Sequence, residues 1–94
     1  MIKSFADRRT ALLFQGVAHR SLPSNILTRA RVKLVLIDQA LDLDDLRSPP
    51  GNRLELRKGD RAGSYSIRVN GQWRLCFRWR GGDAFDVELA DYHG

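Results

Sequence analysis

Residues 64–91 read SYSIRVNGQWRLCFRWRGGDAFDVELAD, and the way this stretch doubles back on itself decides the architecture. Apolar and polar residues alternate through SYSIRV, WRLCFRW and AFDVELADY, the period-two pattern of half-buried strands. Turn residues separate the runs, around Asn70-Gly71 and at Gly81-Gly82-Asp83. A slip of one residue carries every side chain of a strand to the opposite face, so burial selects the register. A two-residue turn at Gly81-Gly82 would set Trp73, Leu75, Phe77 and Trp79 among Ala84, Asp86, Glu88 and Ala90, burying two acids with the aromatics at high cost. A three-residue loop of Gly81, Gly82 and Asp83 instead faces them with Phe85, Val87, Leu89 and Asp91, giving one continuous apolar face. The same test on the earlier hairpin selects a three-residue loop, Asn70, Gly71 and Gln72, against the two-residue default of Asn-Gly. Tyr65, Ile67 and Val69 then line up with Phe77, Leu75 and Trp73.

The opposite face collects Ser64, Ser66, Arg68, Arg74, Cys76, Arg78, Asp86, Glu88, Ala90 and Tyr92. Arg68 lies directly across from Arg74, a like-charge pair that repels unless an anion joins it. Arg78 faces Asp86 as a simple cross-strand ion pair. Upstream, RLELR (53–57) extends the pattern as a further strand: burial of Leu54 and Leu56 turns Arg53, Glu55 and Arg57 toward the same face. The result is a basic groove ending beside Tyr92 and His93, with Asp91 at the edge of the core where a carboxylate still reaches water. The plainer alternative is that Tyr92 covers apolar surface and His93 belongs to a frayed tail.

Further out, MIKSF reads as a short strand, and Asp7 is placed to cap a helix carrying Leu12, Leu13 and Phe14 that Gly16 ends. Pro23 suits a first helical position, and Leu27, Ala30, Leu34, Ile37 and Leu41 follow at steps of three and four, one amphipathic helix packed on the sheet. Arg29, Arg31, Lys33 and Asp38 occupy its other faces. LDLDDLRSPPGN adds a helical turn before Pro49, Pro50 and Gly51 force a loop. The expected fold is α+β: an N-terminal strand, two helices, then an antiparallel sheet with helices on one face. Without internal repeats or linkers, residues 1–94 form a single domain.

Sixteen Lys and Arg against 11 Asp and Glu give a formal charge of +5. That surplus suits an anionic partner such as nucleic acid or an acidic protein, and equally suits solubility alone. The lone Cys76 and the absence of any Cys/His cluster predict a reducing, cytoplasmic setting with no structural metal and no cofactor. MIKSFADRRT lacks the apolar core of a signal peptide, and Lys33 and Asp38 interrupt VKLVLIDQALDL, so no membrane association is expected.

The run KGDRAGSYSIRVNGQWRLCFRW, followed by DVELADYH, closely resembles the HigB branch of the RelE-like toxins of type II toxin-antitoxin systems. The likeness extends through MIKSFADRRT, the central helix and PPGNRL, hence over nearly the whole chain. It implies a compact microbial-ribonuclease-like α+β domain acting as a ribosome-dependent endoribonuclease, an mRNA interferase that cuts message in the A site and inhibits translation. It also implies a HigA-like helix-turn-helix antitoxin as partner, with operator DNA engaged only indirectly through that complex. Arg74 matches the arginine of the family's Trp-Arg strand and would hold the scissile phosphate; Lys58 matches the lysine of Lys-Gly-Asp-Arg. Asp91, Tyr92 and His93 match the family's catalytic ending. Glu55 stands where some relatives place histidine, and Arg57 where an apolar residue is more usual. Arg57, Arg61, Arg68 and Arg78 are the expected RNA contacts.

RNA is cut without metal when its 2′-OH attacks the adjacent phosphorus, which needs a proton acceptor, charge stabilisation and a donor for the leaving 5′-oxygen. Glu55 or Asp91 would accept, Arg74 with Lys58 or Arg68 would clamp the phosphate, and His93 or Tyr92 would donate. A histidine with pKa about 6.5 serves either proton step, so the acid and base assignments are interchangeable. His19 is expected at a helix end, Cys76 as a strand filler, and Ser64 and Ser66 have no base to activate them. Lys3, Arg8, Arg9, Arg29, Arg31 and Lys33 are expected to meet ribosomal RNA or solvent. The rival reading is a non-catalytic RNA-, ribosome- or antitoxin-binding module of the same fold.

Overall fold

Asp7 opens helix α1 (Arg8–Phe14), its carboxylate accepting the Thr10 N–H at 2.8 Å, and Gly16 closes it with a left-handed φ of +88°. These details come from a computed structural model that describes residues 1–56 and 63–92. Arg57, Lys58, Arg61 and His93, singled out above, lie outside the described residues. Helix α2 (Leu27–Gln39) follows a 3₁₀ turn, Ser24–Ile26, that Pro23 precedes. Ala30, Leu34 and Ile37 bury the predicted stripe.

The stripe stops short of Leu41. The Asp45 carboxylate, part of a capping box with Asp42, takes the N–H groups of Leu41 and Asp42 at 3.0 and 3.2 Å. The chain therefore leaves the helix at Ala40, which enters the core, and Leu41 is 86% exposed. Short 3₁₀ turns, Leu43–Arg47 and Pro50–Asn52, lead to the sheet.

Strands β1 (Glu55–Leu56), β2 (Ser64–Arg68), β3 (Trp73–Arg80) and β4 (Asp83–Asp91) form an antiparallel meander in chain order. The N-terminal segment runs parallel along the far side of β4 through single bridges, Ile2 to Ala84 and Phe5 to Val87. The helices cover one face, and Leu13, Ile26, Leu34, Ile37, Ile67, Leu75, Phe77, Val87 and Leu89 fill the space between. The fully buried Thr10 ties α1 to β4 by accepting the Leu89 N–H at 3.0 Å. Among the described residues no helix is long and apolar enough to cross a membrane.

The β2–β3 hairpin has the register that burial demanded, Tyr65 opposite Phe77, Ile67 opposite Leu75 and Arg68 opposite Arg74. Its loop is fixed by Asn70, whose side-chain oxygen accepts the N–H groups of Gln72 and Trp73, each at 2.8 Å.

The β3–β4 hairpin corrects the expectation of a three-residue loop. Arg80 pairs with Asp83 across a two-residue turn, Gly81 and Gly82, with φ of +59° and +84°, the left-handed pair that matches strand twist. The acids stay out of the core because the register shifts between Cys76 and Arg78. Asp86 and Val87 together stand opposite Phe77, a β-bulge with Asp86 at φ +54°. Its freed N–H goes to Ser4 Oγ at 2.9 Å. Three assignments change as a result. Ala84 rather than Phe85 is buried, Phe85 lies on the open face beneath the Arg80 guanidinium at 5.0 Å, and Arg78 pairs with Phe85, not Asp86. Beyond the bulge the predicted phase is restored, with Leu75 opposite Leu89 and Trp73 opposite Asp91. Leu56, expected to be buried, is 61% exposed, because β1 forms the sheet edge.

Candidate active site

Arg74 projects from the middle of the sheet's open face, and its side chain is built in rather than solvated: the residue is 9% exposed. Its Nε donates to Ser66 Oγ at 2.8 Å. Its Nη2 donates to the Arg53 carbonyl at 2.6 Å and the Ser66 carbonyl at 3.2 Å, and the Glu55 carboxylate stands 3.9 Å from the same nitrogen. Arg53 presents its carbonyl from a left-handed conformation, φ +46°, at the end of the Pro50–Asn52 turn. Among the described residues no buried side-chain nitrogen lacks a partner, so Nη1, which no bond engages, retains access to solvent. The head is thus anchored on one side and offers donors on the other, the arrangement that lets a guanidinium grip a phosphate or a developing oxyanion.

Around this centre the sequence-predicted residues divide. Glu55 adjoins Arg74, and Arg68 sits across the ladder, its Nη2 leaning toward the β2–β3 loop beside Gly71. Tyr92 lies over the same face: its hydroxyl accepts a long, weak bond from the buried Cys76 thiol at 3.5 Å, and its N–H donates to the Gln72 carbonyl at 2.6 Å. Cys76 is the strand filler it was taken for, with that contact added. Asp91 pairs with Trp73, so alternation turns its side chain to the helix side of the sheet, where its carboxylate accepts from Gln72 Nε2 at 3.2 Å. Arg78 is exposed at the other end of β3. There it lines a cleft of about 440 Å³ with Trp79, Arg80 and Phe85.

The contacts of three residues escaped the pattern reading. Ser66 and the Arg53 carbonyl orient Arg74, and strand alternation gives faces but not bonds. The third is Arg9, expected in solvent or on RNA. Its guanidinium instead stacks 5.6 Å from the Trp73 ring centroid and donates to the Leu89 carbonyl at 3.2 Å, closing the rim of the core near Asp91. His19 is the helix-end residue expected, exposed between α1 and α2 with its Nδ1 bonded to Ser21.

The sequence is similar to known proteins over nearly its whole length. The model of a RelE-like toxin of type II toxin-antitoxin system HigB matches residues 3–93. Toxin HigB-1 of Vibrio cholerae is 46% identical over 71 residues, 76% of this chain and 75% of that protein. Endoribonuclease HigB of Proteus vulgaris is 36% identical over 93 residues, 99% of this chain and the whole of that protein. A Haemophilus influenzae protein without an assigned function is 38% identical over 74 residues, 79% of this chain and 73% of that one. Matched almost end to end, the chain belongs to the HigB-like toxins of the RelE-like family.

Proposed function

We propose that this chain is an endoribonuclease toxin that cuts messenger RNA held in the ribosomal A site, by attack of a ribose 2′-OH on the neighbouring phosphorus. The reading is supported above all by Arg74, held by Ser66 and Arg53 with Glu55 at 3.9 Å, and by the name Endoribonuclease HigB borne by a full-length relative. Glu55 takes the 2′-OH proton, O2′ bonds to phosphorus, and charge gathering on the non-bridging oxygens falls to Arg74, with Lys58 or Arg68. The P–O5′ bond breaks, His93 or Tyr92 protonates O5′, and a 2′,3′-cyclic phosphate remains. Asp91 is the second candidate acceptor, reaching the site around the strand end. Arg57, Arg61 and Arg78 hold flanking RNA. The ribosome aligns the message, which lets so small a domain omit most substrate positioning. A HigA-like antitoxin is the partner that restrains it, and operator DNA is met only through that complex.

An in vitro translation reaction with 3′-end mapping tests this. Wild-type protein cuts ribosome-held message, His93→Ala and Glu55→Gln lose cutting while still binding ribosomes, and Asp91→Asn is impaired less than Glu55→Gln. Cleavage at a site carrying 2′-deoxyribose overturns the mechanism. Ribosome binding that blocks translation without cutting means that the chain is a non-catalytic binder.

A further inference from the structure

β1 pairs only with Tyr65 and Ser66, so beyond them the edge of β2 away from β3 has no strand beside it among the described residues. There α2, the Pro50–Asn52 turn and the β2–β3 loop enclose a cleft of about 660 Å³. Arg29, Lys33 and Arg68 line it with Asn25, Thr28 and Gly51, and among the described residues no acidic side chain does. Among the described residues none of the three cations forms an ion pair with a carboxylate.

Two of these cations, Arg29 and Lys33, are held in place by neutral acceptors. Arg29 Nη1 donates to the Val69 carbonyl at 3.3 Å. Lys33 donates to Asn52 Oδ1, on a fully buried residue whose amide is fixed by bonds to the carbonyls of Leu46 and Ser48 at 3.1 and 3.3 Å. Arg29 and Lys33 lie four residues apart on α2, on one side of the helix, where like charges repel. Burial, and then the Arg29 guanidinium beside it, hold the Lys33 ammonium below its ordinary range. The site is preorganised for negative charge and, among the described residues, contains none of its own.

We infer that this cleft binds a phosphate group, a phosphodiester of the RNA strand flanking the linkage held at Arg74. The inference rests on the proposed nuclease reading for its ligand. RNA is favoured over an acidic peptide because Arg68 belongs to both places. It lines the cleft and pairs across the ladder with Arg74, about 5 Å away between Cα atoms. A strand leaving Arg74 along β2 therefore meets a second phosphate seat one step on. Guanidinium forks bind phosphate oxygens in pairs, and the lysine adds a point charge.

Two measurements decide the matter. Inorganic phosphate, titrated into the protein, shifts the side-chain nitrogen resonances of Arg29, Lys33 and Arg68 in the wild type. Separately, binding of an uncuttable, fully 2′-O-methylated RNA strand is followed across a salt series. R29Q/K33Q weakens it and lowers the slope of log K against log salt by about 0.7, one phosphate contact of a single strand. Arg31→Gln, a single charge loss elsewhere on α2, leaves the slope unchanged, and R29K/K33R, which keeps both charges, retains the wild-type slope. Absence of phosphate shifts, an unaltered slope in a folded R29Q/K33Q protein, or loss of antitoxin affinity with RNA affinity intact each overturn the inference. Its failure is separable from that of the proposed reaction: a wild type that binds phosphate but cuts nothing keeps the seat and loses the nuclease. Normal cutting with an unaltered slope does the reverse.

Discussion

Replacing Ser66 by alanine removes a single oxygen from β2 and tests the construction of the site. That oxygen accepts from Arg74 Nε at 2.8 Å, and the serine is 2% exposed, so no water replaces it cheaply. A hydrogen bond to a charged group contributes about 1.5–3 kcal/mol. Because the carbonyls of Ser66 and Arg53 still hold Nη2, the lower part of that range applies, about 1.5–2 kcal/mol. At about 4–8 °C per kcal/mol for a domain of this length, the melting temperature falls by about 6–16 °C. The catalytic effect is separate: with one anchor gone the guanidinium swings, and a displacement of about 1 Å costs up to about 100-fold in rate. Under the proposed function, single-turnover cleavage of ribosome-held message, assayed well below the variant's melting point, falls by about 10- to 100-fold, while ribosome affinity holds. Ser66→Thr, which keeps the hydroxyl, recovers most of both. A Ser66→Ala protein that melts and cuts like wild type refutes the view that this bond aims Arg74.

Three further outcomes follow from the same coordinates. Asp86 occupies φ +54°, so Asp86→Gly leaves urea stability nearly unchanged, whereas Asp86→Val, with a branched Cβ in the left-handed region, loses about 1–2 kcal/mol. Thr10→Val strands the buried Leu89 N–H and costs about 1–3 kcal/mol in the same assay, with Thr10→Ser close to wild type. The Lys33 pKa is lower folded than unfolded, so the unfolded chain binds more protons between the two values and stability rises with pH through that window. The rise is measured as the difference in pH dependence between wild type and Lys33→Met.

The first hairpin was legible because burial and alternation agreed there: only a three-residue loop lines up Tyr65, Ile67 and Val69 with their partners. The second was half-legible. The objection to burying Asp86 and Glu88 was sound, yet the chain answers it with a bulge rather than a longer loop, and an aspartate in the left-handed region leaves no glycine to announce it. Leu41 was misplaced because helical periodicity sets a stripe but not its end, and here the Asp42–Asp45 cap ends it. Arg74, Glu55 and Tyr92 reached one face from the strand pattern alone. The bonds that aim Arg74 were hidden, since they come from a carbonyl after a 3₁₀ turn and a serine whose neighbours predict only its side.

The unpaired residue at Asp86 also decides which face the far end of its strand presents. Were Asp86 paired in strict phase from the Gly81-Gly82 turn onward, the inner and outer positions of β4 beyond it would exchange and Tyr92 would turn to the helix side of the sheet; the bulge keeps both ends of the strand in their present phase. Because Phe77 faces Asp86 and Val87 together, losing Asp86 would only close the bulge, whereas one residue added or lost between the bulge and Tyr92 would reverse the face that Tyr92 reaches.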